Sequence, residues 1–122
     1  MMEIRFTRRA LSDLEKIKKE SIEKWGKKIG SKYMSDIEDT LKTIAEFPDL
    51  LKERPFSKQT TCFCVRKHML VFAMLDNMLY LLTVKYGGMK LEEIIPREEP
   101  TLIHEANIMH CKLSRKYNTS SE

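Results

Sequence analysis

The sequence predicts an α+β fold: an N-terminal strand, an antiparallel helical hairpin, a three-stranded antiparallel meander and a C-terminal helix. Three observations predict it. Apolar runs at 60–65, 68–75 and 78–86 are separated only by Arg66-Lys67 and Asp76-Asn77, and two-residue polar breaks between β-rich runs read as tight hairpins. Two amphipathic stretches precede them and break at Trp25-Gly26. Before those, Met2, Ile4 and Phe6 alternate with Glu3 and Arg5, the period-2 pattern of a half-buried strand.

Each element follows from local chemistry. Thr7 is a helix N-cap residue by type. Leu11, Leu14, Ile17, Ser21/Ile22 and Trp25 then recur at three or four residues as one apolar stripe, and Gly26 stops the helix. A second stripe runs through Ile29, Tyr33, Ile37, Leu41 and Ile44. Gly30 weakens its first turn by about 1 kcal/mol relative to Ala. Pro48 disfavours helical geometry at Phe47, so the second helix ends there. A polar loop at 49–59 carries Lys52, Arg54 and Lys58. The strand at 68–75 is apolar on both faces, as a central, covered strand would be. One sheet face is expected to take the helices and the other to stay partly exposed and open to a partner. Both residues of Asp76-Asn77 tolerate positive φ, which suits a type I′ turn. Pro96 and Pro100 mark a polar stretch after Gly87-Gly88, and a last helix is expected at 101–117, with Leu102, Ala106, Met109 and Leu113 as its stripe and a frayed end. The domain boundaries that follow are 1–95 for the main body and 96–122 for an extension.

Length and composition bound the rest. A chain of 122 residues is expected to form one core. The net charge of +4 is uneven: +5 over 1–32, −4 over 33–51, +3 over 52–95 and zero beyond. Such a polarised surface is compatible with an anionic target. No signal peptide or apolar run near the roughly 18 residues of a membrane span is present, and an odd number of cysteines fits a reducing compartment, so the expected location is cytoplasmic. Cys62 and Cys64 lie two apart on one strand face. A zinc reading would recruit His104, His110 and Cys111, but their spacing matches no standard pattern, so no metal or cofactor is expected.

In its order of elements the chain resembles the RelE/ParE superfamily of bacterial type II toxins. The segment from Ile4 to Ile17 is similar to the family's strand followed by A-x-x-D-L-x-x-I, here Ala10, Asp13, Leu14 and Ile17. Trp25-Gly26 before Tyr33 resembles the W-G…Y of the hairpin tip in the ParE branch. Ala45-Glu46-Phe47-Pro48 resembles its helix end. His68 to Phe72 resembles the start of the third strand. Val84 to Met89 resembles the ParE-type ending, with Tyr86 where His is usual. The resemblance covers about 1–95 and does not extend to the tail.

The resemblance implies two activities. ParE-type members poison DNA gyrase by binding it and trapping cleaved DNA, which needs a complementary surface. RelE-type members cut messenger RNA on the ribosome without metal, which needs a base, an acid and cations around the phosphate. For cleavage the candidates are Arg54, Arg66, His68, Lys85 and Tyr86. For target or nucleic-acid binding they are Lys52, Arg54, Lys58, Arg66, Lys67 and Tyr86. Arg66 suits bidentate phosphate binding, His68 titrates near neutrality, and Tyr86 suits stacking or proton donation. Both branches imply a partner, an antitoxin with a flexible acidic segment that folds on binding. The ParE-like toxin is the favoured reading. A non-toxic basic binding module on the same scaffold is the rival from another class.

Overall fold

A computed structural model describes residues 2–51 and 57–120, with side chains to residue 113. Strand β1 (Ile4–Phe6) leads into helix α1 (Arg8–Trp25), and α2 (Lys27–Glu46) follows after Gly26 alone. Thr7 caps α1: its Oγ1 accepts from the Ala10 amide and donates to the Leu82 carbonyl, 2.9 Å away. The cap therefore also fastens the helix to a strand seventy-five residues away. Gly26 takes φ of 88°, a value L side chains rarely adopt, and this turns the chain between the helices. After a short 3-10 turn (Pro48–Leu51) come β2 (Thr61–Val65), β3 (His68–Leu75) and β4 (Met78–Tyr86). The expected meander is present, and Asp76 and Asn77 take φ of 48° and 65°, as a type I′ turn requires.

The sheet order is β1-β4-β3-β2, with β1 parallel to β4 and the other pairs antiparallel. Between the pairs Val71↔Thr83 and Phe72↔Leu81, β4 carries one extra residue, Leu82. Asp13 of α1 braces this bulge. Its Oδ2 accepts from Thr83 Oγ1 at 2.5 Å and from the Val84 amide at 3.1 Å. The acidic residue of the A-x-x-D-L pattern thus satisfies a backbone donor that the bulge displaces from the ladder.

Two cores form, one on each sheet face. Ile37, Ile44, Leu70, Phe72, Leu79 and Leu81 pack between the sheet and the α1–α2 hairpin. On the other face Val71, Ala73, Tyr80 and Leu82 pack under a third helix, α3 (Leu91–Ser120), through Leu91, Ile95, Leu102 and Ala106. Two expectations are corrected here. The second face is not left open to a partner, because α3 covers it. The last helix begins ten residues before the expected 101 and runs through Pro96 and Pro100. Both prolines lie on its exposed side, while Leu91, Ile95, Glu99 and Leu102 face the sheet. The carbonyls left without an amide partner therefore sit toward water, and burial of the opposite stripe offsets the loss. Glu99 adds a polar staple, accepting from Thr60 Oγ1 at 2.8 Å and the Gln59 amide at 3.2 Å.

Two stripe assignments also shift. Leu11 and Ile29, both expected inside, are 51% and 57% exposed. Ala10 and Gly30 take the inward positions beside them. At Gly30 an added Cβ would lie 2.7 Å from Ile22 Cγ1 and 2.9 Å from its backbone nitrogen. The residue that weakens the helix in isolation is the one that lets α1 and α2 approach.

Candidate functional site

Trp25 closes α1, Tyr33 sits on the inner stripe of α2, and Arg66, Lys67 and His68 form the β2–β3 turn. Tyr86 ends β4. The fold brings these ends together. Tyr33 lies 5.7 Å from Trp25 and 5.5 Å from His68, and His68 lies 5.9 Å from Tyr86, between ring centroids. The Lys67 ammonium sits 5.9 Å from the Trp25 ring centre. Trp25, Lys67, His68 and Tyr86 line a recess of about 180 Å³ together with Glu20 and Lys24.

Hydrogen bonds and burial set the electrostatics of the cluster. The Lys67 amide donates to Tyr33 Oη at 3.3 Å, and the same hydroxyl is hydrogen-bonded to His68 Nδ1, 2.5 Å away. Burial raises the Tyr33 pKa and keeps the phenol protonated. Burial also pushes His68 below the ordinary histidine value. That shift favours the neutral imidazole at pH 7. Arg66 takes φ of 53° and turns its guanidinium onto Asp36 of α2, with Nε 2.6 Å from Oδ2 and Nη2 on the same oxygen. That hydrogen bond holds the Asp36 carboxyl below its usual range.

The structure brings Arg66, Lys67, His68 and Tyr86 together and separates two other candidates from them. Lys85 is adjacent in sequence to Tyr86 but serves the opposite sheet face. Its Nζ lies 2.9 Å from Glu98 Oε2 and 3.2 Å from Oε1, under α3. Strand alternation requires this split. Lys58 is exposed at the other end of the sheet, in a depression it shares with Met74 and Leu75. Lys52 and Arg54 lie outside the described residues. Sequence spacing alone does not mark Tyr33 and Asp36 as site residues. The Trp25-Gly26…Tyr33 pattern was the available signal for Tyr33, and the register of α2 against the turn gave none for Asp36. Of the residues in the zinc reading, His110 is occupied elsewhere: Nδ1 is 2.8 Å from Tyr80 Oη and Nε2 is 2.8 Å from Asp76 Oδ2.

This frame can be compared with known proteins. The model for the ParE toxin of the type II toxin–antitoxin system parDE matches residues 4–91. A solved chain of the chromosomal ParDE TA system from P. aeruginosa is similar in fold, with a TM-score of 0.63 at 18% identity. The match covers 70% of this chain and 96% of that one. Among curated proteins none matches. The matched span takes in β1, the helical hairpin and the whole meander, and ends where α3 begins. The chain belongs to the ParE toxin family of type II toxin–antitoxin systems.

Proposed function

We propose that this toxin arrests growth by binding DNA gyrase and holding its cleaved-DNA intermediate, and that a cognate antitoxin relieves the arrest. Family membership supports the toxin role. One observation favours surface binding over RNA cleavage: three of the four described cleavage candidates, all but Tyr86, are engaged within the chain. Arg66 is paired with Asp36, Lys85 with Glu98, and His68 Nδ1 is hydrogen-bonded to Tyr33 Oη. A phosphorane needs cations preorganised toward it, and these two point at carboxylates of their own fold. Tyr86, exposed, and Trp25, half-buried, remain as aromatic groups beside Lys67, a composition suited to a protein contact.

Pulse-labelling after induction tests the reading. DNA synthesis is expected to fall first, with filamentation, and purified toxin is expected to raise the cleaved fraction of plasmid incubated with gyrase and ATP. A stop in protein synthesis before any change in DNA synthesis supports the ribosome and messenger RNA as target and overturns the proposal. Unimpaired growth supports the inert binding module.

A further inference from the structure

Helix α3 creates a groove that the family-matched span alone does not contain. Its C-terminal half runs beside the start of α1. Between them lies a depression of about 490 Å³. Phe6 and Leu11 form its floor from one side, and Ile108, Met109 and Leu113 from the other. Leu11 and Ile108 are 51% and 44% exposed, so an apolar stripe on each helix continues past its own core into open groove. Arg9 and Glu105 tie the walls together through two hydrogen bonds, of 2.7 and 2.8 Å. That pairing neutralises the one acid among the lining residues and leaves Arg8 and Lys112 at the mouth, both exposed. The first turn of α1 carries no acid, although a helix N-terminus favours one.

We infer that this groove holds an acidic, amphipathic segment of the antitoxin, its apolar side chains between α1 and α3 and its carboxylates against Arg8 and Lys112. The inference rests on the antitoxin reading above and adds the place of contact. Charge selects the occupant. A second copy of this chain would set the same cations against each other across a two-fold contact. Nucleic acid would satisfy the cations and leave the apolar floor wet. An acidic helix or strand with apolar residues on one side matches both parts. Because α3 supplies one wall and begins where the family match ends, the groove would also let this toxin distinguish its own antitoxin from that of a family member lacking such a helix.

The test uses the full chain and the product of the reading frame beside its gene, with affinity measured by calorimetry at two salt concentrations. Leu11→Glu, Ile108→Glu and the double change Arg8→Glu/Lys112→Glu are each expected to weaken binding by about tenfold or more, and the double change is expected to flatten the salt dependence. Ile29→Glu, equally exposed but on α2, is expected to bind as wild type does. All five substituted residues are exposed, so melting temperatures serve as the folding check. Wild-type affinity in the three groove variants overturns the groove and leaves the antitoxin reading standing. A neighbouring product that fails to bind the wild-type chain overturns both. Dimerisation of the wild-type chain that Leu11→Glu abolishes reassigns the groove to self-association and overturns the inference.

Discussion

At the scale of single residues, the cluster around Tyr33 makes stability depend on pH. The folded-state pKa of His68 lies below its ordinary 6.5, so the unfolded chain takes up the proton first as pH falls. Stability is fully present above that ordinary value and declines as pH drops toward the folded one. Denaturation midpoints from pH 8 to 5 should show this decline, and it should be shallower in His68→Gln. Tyr33→Phe removes the hydroxyl that bonds His68 Nδ1 and accepts from the Lys67 amide, for an expected loss of about 1–2 kcal/mol in urea unfolding. Thiol chemistry gives a second check. Burial raises the Cys62 thiol to about 12, whereas Cys64 and Cys111 are exposed. Ellman's reagent should label Cys64 and Cys111 quickly and Cys62 only on unfolding. Much of this site was legible. Arg66, Lys67 and His68 share one turn by their spacing, and Tyr86 pairs with His68 once the hairpin is drawn. Strand alternation already places Lys85 opposite Tyr86. What was not legible is Asp36, whose meeting with Arg66 depends on the height of α2 above the turn, a tertiary quantity with no local signature.

At the scale of elements, two substitutions separate intrinsic propensity from packing. Alanine at Gly30 gains about 1 kcal/mol of helix propensity. Its Cβ would also meet Ile22 backbone atoms, which cannot rotate away. Packing should win, with a net loss of about 1–3 kcal/mol by denaturant titration. Pro96→Ala should go the other way. It restores an amide to an exposed helical position and should raise the melting temperature, the intrinsic difference being about 3 kcal/mol. The same contrast explains what could be read in advance. The strands were bounded closely because period-2 alternation and the Asp76-Asn77 turn are local signals. The start of α3 was misplaced because prolines read as breakers, and only the sheet beneath Leu91 and Ile95 shows why the helix survives them.

At the scale of the whole molecule, the sheet is the middle of three layers, and removing one layer should be severe. A chain ending at Lys90 loses α3 and uncovers Val71, Ala73, Tyr80 and Leu82, each at most 3% exposed in the full chain. Bound 1-anilinonaphthalene-8-sulfonate fluorescence should rise, and the chain should lose its sharp thermal transition. The sequence shows an apolar stripe on the last helix, at Leu102 and Ala106, but nothing local says which surface that stripe will cover. The parallel pairing of β1 with β4 has a temporal consequence. The first strand, and the cap that begins α1, find their partners only at Leu79 to Leu82. During translation the early segments must wait, unpaired, for most of the polypeptide to be made. A product terminated before Leu79 therefore lacks the strand on which β1 and the α1 cap close, and cannot complete the sheet.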